Sequence, residues 1–424
     1  MDAVLHCLPA DGGLYVPDKA ADLRQFFLHM DGETSFPDLV ATITPGLLES
    51  ALDPFAARRI AQSAFNFEPE LVRLDDDYSV LNLCNGPTGF HNDFGIAFLA
   101  ATIEEITKNS GQTFVLAAVH STTAASMTKA FGSRRGITAV LVYPEGPVYG
   151  FENRDLVSNG GNIIPIQVSG TFDDCQKLIA QAICDNRFSG HSITSANTIN
   201  QGRLLPQVFY YLYAFVKAKR QLSGDLAFSV PCGNFGNLMA GLYAWEFGLP
   251  ANIFFAAMNS NNALGDFFKA GSFSPKQLNH TGSPALDVRI PSNLSRLESF
   301  YSSNPAVMRN MVHPAAVSDD LMLQTIEKVW KKYGLHIDAH AAVAFAAAEI
   351  ADSGHKWKGH NHTVVLSTMH YAKDPDLTYR ATGKKIEMPQ RFKDICKTAE
   401  PALVIPAQFD AFASVITSAL ATSA

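Results

Sequence analysis

The sequence predicts an α/β protein with two parallel-sheet domains and a mainly helical N-terminal region. Three observations carry that prediction. At 424 residues the chain exceeds one ordinary domain. Short apolar runs of strand length alternate with helical patterns through most of it, an order that favours parallel sheets with helices on both faces. The first 75 or so residues lack that rhythm. The expected organisation is a mainly helical region over 1–75, a smaller α/β domain over 76–200 and a larger α/β domain over 201–424.

The elements justify this in order. Phe114-Val-Leu-Ala-Ala-Val119 reads as a buried strand, followed by a helix from Thr122 to Phe131 that Gly132 stops. Ala139–Tyr143 and Ile163–Val168 read as further buried strands, the second followed by a helix from Asp173 to Cys184. Leu226–Val230, Asn252–Ala257 and Thr363–Leu366 repeat the pattern. The stretch from Lys269 to Ser303, rich in Ser, Asn, Gly and Pro, predicts a long loop region bordering the site. A helix from Ser318 to Tyr333 follows, with Ser318 and Asp319 suited to its cap. The apolar tail around Phe409, Phe412, Val415, Ile416 and Leu420 is spaced as a docking helix and is too interrupted for a membrane span.

Composition narrows the function classes. Hydrophobic residues make up 47% and charged residues 17%, the profile of a soluble globular protein with ample core. A formal charge of −7 without long runs of one sign argues against nucleic acid or an anionic membrane as partner. The start has no basic region and no long apolar stretch, so a cytoplasmic location is expected. The six cysteines are scattered without C-x-x-C spacing; reduced thiols and no metal site are expected.

Two segments carry the chemistry. In Ser229-Val-Pro-Cys-Gly-Asn-Phe-Gly-Asn237 a strand runs into a glycine loop, Gly233–Gly236, and then a helix. Backbone N–H groups at a helix N-terminus, with glycines permitting close approach, make an anion site, although the same letters suit an ordinary tight turn. No Lys-Ser/Thr follows, so this is not a P-loop. In Leu83-Cys-Asn-Gly-Pro-Thr-Gly-Phe-His-Asn-Asp-Phe-Gly95, Asn92 or Asp93 can cap a helix whose apolar positions are Phe94, Ala97, Phe98 and Ala101. Arg203 suits either an interhelical ion pair or an anion. Cys232 reads as a small buried spacer, and His340 as a capping or packing residue of an Ala-rich helix.

Both segments resemble motifs of the threonine synthases, enzymes that use pyridoxal 5′-phosphate (PLP). The first is similar to V-P-S-G-N-F-G-D, with Cys232 for Ser and Asn237 for Asp. The second is similar to G-P-T-x-x-x-K-D-F-G and matches at Gly86, Pro87, Thr88, Asp93, Phe94 and Gly95. Ser195–Arg203 resembles S-x-N-S-I-N-x-x-R, and Leu366–Lys373 resembles L-x-T-A-H-P-A-K. Further matches at Asp11–Pro17, Phe172–Gln176, Ser283–Asp287 with Asn293, and His340–Val343 fall in the family's order, so the resemblance spans nearly the whole chain. It implies the tryptophan-synthase-β-like fold type II of PLP enzymes. It also implies that Gly233, Asn234, Phe235, Gly236 and Asn237 hold the PLP phosphate and that Thr368 meets the pyridine nitrogen. Thr88, Ser121, Thr122, Thr123, Asn197, Asn200 and Arg203 would then line the pocket of a small phosphorylated amino-acid-like metabolite, with His91 and His120 replacing non-histidine residues there.

The departures fall where the chemistry is expected. The lysine that binds PLP in the family is Asn92 here, and a carboxamide neither condenses with an aldehyde nor acts as an amine base near neutral pH. The family's S-G-D-T-G becomes His120-Ser-Thr-Thr-Ala124, and the loss of both glycines limits close backbone approach. Its Y-P-x-G-K-x-S becomes Tyr143-Pro-Glu-Gly-Pro-Val-Tyr149, which removes a positive charge where a phosphorylated substrate needs one. Lys129, within a helix, is a poor stand-in for the missing amine. The expected function is a threonine-synthase-like protein, impaired or altered in converting O-phosphohomoserine to threonine, that binds PLP or a phosphorylated metabolite non-covalently. Two alternatives stand beside it: an active PLP-dependent threonine synthase or related carbon–oxygen lyase acting on phosphate, and a non-catalytic metabolite sensor or partner subunit.

Overall fold

Strand-length apolar runs do pair into two sheets in the computed structural model. It describes residues 2–423 apart from 10–11, 19–20, 49–51, 110, 149–150, 158–160, 223, 304, 355–360 and 397–401. In chain order the first strands are β1 (Glu70–Arg73), β2 (Tyr78–Asn82), β3 (Thr113–Ala118), β4 (Ile137–Pro144), β5 (Pro147–Val148) and β6 (Phe151–Glu152). Then come β7 (Ile163–Ser169), β8 (Ser192–Ser195), β9 (Asp225–Pro231), β10 (Ala251–Met258), β11 (Val312–Ala316), β12 (Asn361–Ser367) and β13 (Leu403–Pro406). The six-stranded sheet runs β1-β2-β12-β9-β10-β11 and the five-stranded sheet β13-β7-β4-β3-β8, while β5 and β6 form a small ribbon. All pairings are parallel except β1 with β2 and β5 with β6.

Sheet membership does not follow the order expected from the sequence. The segment 76–200 gives its first strand, β2, to the larger sheet, next to β12. The segment 201–424 returns β13 to the edge of the smaller sheet, against β7. For β13 the reason lies in the tail. Phe412, Ile416 and Leu420 of the helix Phe409–Ser423 are buried with Ile166, Val168 and Ile179, so apolar burial holds the end of the chain on the smaller sheet.

Local chemistry fixes the helices as expected. Thr171 and Asp174 form a reciprocal capping box on Phe172–Cys184. Ser318 accepts from Leu321 N to open Asp319–Tyr333, and Gly334 closes it at φ 66°. The Lys269–Ser303 region is less irregular than its composition suggested. It ends one helix, Ala263–Ala270, holds a 3₁₀ turn at Pro284–Leu286, and finishes with the helix Leu294–Ser303. That last helix buries Arg296, Leu297 and Phe300, so tertiary burial overrides weak local propensity. The N-terminal region is mainly helical, but β1 begins inside it at Glu70.

The N-terminal helices dock through aromatic burial. Phe36 meets Phe94 edge-on at 5.4 Å and 85°, and Phe94 in turn meets Tyr210 at 6.0 Å. Phe36 and Phe94 have no exposed surface, and burying each ring contributes roughly 2–3 kcal/mol. Phe94 begins two residues after Asn92, so this core fixes the helix that carries the site. Among the described residues no helix is long and apolar enough to cross a membrane.

Candidate active site

The loops that follow β2, β3, β9 and β12 carry the motif residues, which therefore gather at the carboxyl ends of parallel strands. After β2 the chain is pinned to β12: Leu83 N donates to Ser367 O at 3.0 Å and His91 N to Thr368 O at 2.9 Å. The helix Asn92–Thr107 then begins, but neither Asn92 nor Asp93 is its cap. His91 occupies that position and makes no side-chain capping bond.

Asp93 turns back to the loop instead. Its carboxylate accepts from Thr88 N at 2.9 Å and from Thr88 Oγ1 at 2.8 Å. Thr88 Oγ1 also lies 3.0 Å from Ser126 Oγ. Burial raises the Asp93 pKa despite these donors. A Cβ on Gly86 would sit 2.3 Å from the Asp93 carboxylate, so only glycine fits there. Thr88, expected in the substrate pocket, is fully buried and committed to this internal knot.

Asn92 is bound to Arg203. Arg203 Nη2 donates to Asn92 Oδ1 at 3.0 Å, and its Nη1 donates to Ala196 O at 2.9 Å. Burial alone pulls the Arg203 pKa down to about 10, and no carboxylate lies in salt-bridge range among the described residues. Arg203 therefore does not form the interhelical ion pair that its letter allowed. The two helices approach so closely that a Cβ on Gly95 would lie 2.5 Å from Arg203 O. His91, partly buried beside them, is pushed down to about 4, first by burial and then by the Arg203 charge.

The glycine loop is the second centre. No acceptor among the described residues takes the backbone N–H groups of Gly233 through Asn237. They precede and open an 11-residue helix, Gly236–Glu246, and so form a concentrated positive end. Phe235, buried, adopts φ 59°, a left-handed conformation that L-residues rarely hold and that clusters at functional sites. Asn237 Oδ1 accepts from Tyr210 Oη at 2.6 Å and from Tyr211 Oη at 2.8 Å. Those two phenols fix the amide, whose buried Nδ2 has no partner. Unsatisfied donors of this kind, in a row and beside a helix N-terminus, fit a phosphate ester.

Other expected residues have internal roles. Asn197 clamps the end of β3, accepting from Ala118 N at 2.9 Å and donating to Ala118 O at 2.7 Å. Asn200, fully buried, donates to Val4 O and Ser195 O and caps a short helix at Gly202 N. His120 stacks on Phe172 at 3.8 Å, and burial lowers its pKa to about 4. Thr123 is half-buried in the first turn of Ser121–Phe131; the side chains of Ser121 and Thr122, and Tyr149 entirely, lie outside the described residues. Lys129 is exposed. Cys232 is a buried spacer whose thiol donates to Val230 O.

Sequence reasoning missed three features. Asp338 Oδ2 binds His340 Nδ1 at 2.6 Å with both side chains buried, which leaves His340 Nε2 without a partner. Lys373 is buried with its ammonium 4.3 Å from the Phe90 ring and 4.6 Å from the Phe392 ring. Arg296 is buried behind the glycine loop. The one advance signal was Asp338-x-His340, a spacing that lets a carboxylate reach an imidazole; Lys373 and Arg296 sit in mixed polar segments that announce no burial. No group of three or more His, Cys, Asp or Glu suited to a metal occurs among the described residues.

The chain is similar to known proteins over nearly its whole length. A family profile described as "Pyridoxal-phosphate dependent enzyme" matches residues 77–368, and one described as "Threonine synthase, C-terminal" matches residues 341–416. The threonine synthase of Serratia marcescens is 31% identical over 414 residues, covering 96% of this chain and 93% of that protein. That of Escherichia coli K12 is 31% identical over 416 residues, covering 96% and 94%. Among solved structures, threonine synthase from Escherichia coli superposes with a TM-score of 0.87 at 29% identity, covering 99% of this chain and 96% of that one. The structure described as PLP-bound threonine synthase from Brucella melitensis gives 0.85 at 26% identity, covering 98% and 96%.

Proposed function

The chain belongs to the threonine synthase family of pyridoxal-phosphate-dependent enzymes, and from that premise we propose that it holds PLP through non-covalent contacts and is lowered or redirected in its action on O-phosphohomoserine. The observation that carries this reading is the Asn92–Arg203 bond, because it puts a carboxamide where the resemblance expects the amine. A carboxamide forms no covalent link to an aldehyde and takes no proton near neutral pH.

The rest of the site supports retention of the cofactor. The N–H groups of Gly233 through Asn237 and the Asn237 amide would take its phosphate, and Thr368 would face its ring nitrogen. When bound, PLP supplies an electron sink for carbanion chemistry. Arg203 would orient Asn92 and bring a fixed positive charge to the anionic part of the substrate. His91, neutral at physiological pH, would offer a hydrogen bond without a competing charge. Loss of a proton-shuttling amine typically lowers the rate by several orders of magnitude.

A second reading has the comparisons behind it. Relatives that align with 96% of this chain at 31% identity are threonine synthases, which favours the same carbon–oxygen lyase activity on the phosphorylated substrate here.

One experiment separates the two. The purified protein is titrated with PLP, treated with borohydride and mapped by mass spectrometry, and phosphate release from O-phosphohomoserine is assayed in parallel. Saturable binding without a borohydride-fixed lysine, and release far slower than from a lysine-bearing relative, is the expected result. A fixed lysine with a comparable release rate would establish the second reading, and no binding of PLP would overturn both.

A further inference from the structure

Arg296 belongs to no motif used above, yet it is among the most deeply buried charges in the protein, with 1% of its surface exposed. Its Nε donates to Tyr15 O at 2.9 Å, Nη1 to Thr198 O and to Asn293 Oδ1, each at 2.6 Å, and Nη2 to Ile199 O at 2.7 Å. Every acceptor is a neutral oxygen. Burial accordingly draws the pKa down to about 10. A buried guanidinium solvated only by carbonyls is a strongly disfavoured arrangement unless something else balances its charge.

The hydrogen bonds lead from Arg296 to the glycine loop. Because Asn293 Oδ1 is taken by the guanidinium, its Nδ2 must donate, and it does so to Thr198 Oγ1 at 3.0 Å and Asn234 O at 3.1 Å. The Asn293 backbone N–H also donates to Asn234 O at 3.3 Å, and Ser292 N donates to Asn234 Oδ1 at 3.1 Å. The Asn234 carbonyl is thus turned toward Asn293. In a trans peptide the C=O and N–H point in opposite directions, so the Phe235 N–H faces away from Asn293, and no acceptor among the described residues takes it.

We propose that Arg296 is the electrostatic anchor of the Gly233–Gly236 loop, a positioning residue whose buried charge is balanced when a phosphate dianion occupies the loop amides. This rests on the reading of that loop as a phosphate site. Arg296 touches no reacting atom. It acts through Asn293 and Asn234, so that anion binding and the loop's orientation become one event.

The test uses the full-length protein with two probes, inorganic phosphate and PLP. Dissociation constants and the ligand-induced rise in melting temperature are measured for wild type, Arg296→Gln, Arg296→Lys and Asn293→Asp. Arg296→Gln removes the charge and should weaken both probes tenfold or more. Arg296→Lys keeps the charge while losing the fork, and should recover to within about threefold of wild type. Asn293→Asp gives Arg296 an internal counter-ion and should also weaken binding tenfold or more, which decides the matter if Arg296→Gln does not fold. A purely structural staple would instead lower the ligand-free melting temperature in all variants and leave the affinities unchanged, and that result overturns the proposal. If wild type is stabilised by neither probe, the phosphate reading of the loop fails and this inference falls with it.

Discussion

Arg203 and Asn92, 111 residues apart in the chain, meet through a 3.0 Å bond from Nη2 to Oδ1. The bond leaves the guanidinium with neutral acceptors only and sets position 92 directly beside a buried positive charge.

Replacing Asn92 with lysine tests that environment. Asn92→Lys would set an ammonium beside a buried guanidinium and should cost about 1–3 kcal/mol of ligand-free stability, read by urea denaturation. The same repulsion would hold the new amine partly neutral, the state that attacks an aldehyde. Borohydride treatment with PLP should therefore fix the cofactor at position 92. A stable variant that is not fixed would show that the site no longer places the aldehyde there.

Gly95 sets the distance between the two residues. Gly95→Ala brings a Cβ to within 2.5 Å of Arg203 O, a backbone atom with little freedom to yield. A loss of roughly 1–3 kcal/mol is expected, together with weaker PLP binding as Arg203 is displaced. Unchanged stability would mean that the two helices slide apart without penalty.

The phenols under the glycine loop should behave as a coupled pair. Tyr210→Phe or Tyr211→Phe each removes one donor to Asn237 Oδ1 and should cost about 1 kcal/mol. The double variant leaves that oxygen with neither phenolic donor, so its loss should exceed the sum of the two single losses. Simple additivity in a double-mutant cycle would count against a shared role.

Acid should destabilise the protein through its histidines. His91, His120 and His370 are all depressed to about 4, chiefly by burial. Below an unfolded value near 6.5 the unfolded chain binds protons that the native state refuses. Their contribution is full above that value and declines as pH falls toward 4, by about 1.4 kcal/mol per unit for each group. Asp93, whose pKa is raised, works in the opposite sense and partly offsets this. Denaturation midpoints between pH 7 and 4 would expose the net slope; a flat profile would refute the burial argument.

Legibility in the sequence followed the physics of each element. β3, β4, β9 and β10 are almost wholly buried and so appear as continuous apolar runs. β1 and β8 are short and carry polar or charged residues, β11 contains Pro314, and β13 stands at an edge; none has a period to read. The site was legible as motifs but not as pairings. Nothing local announces that Arg203 binds Asn92, that Thr88 is consumed by Asp93, or that Asn200 faces inward. Buried polar residues choose partners across the fold, and a linear pattern does not contain that choice.

β12, made of residues 361–367, lies between β2 and β9. Its last residue Ser367 and the following Thr368 accept from Leu83 N and His91 N, which ties down the loop that leads into the Asn92 helix. A ribosome delivers this central strand only after roughly six-sevenths of the chain has been made, while β2 and β9 wait with unpaired edges. Assembly of the site is then a late event, and nascent chains cut short before Thr368 would lack the carbonyl that accepts from His91 N. Such intermediates carry exposed strand edges, which makes them natural clients for chaperones during synthesis.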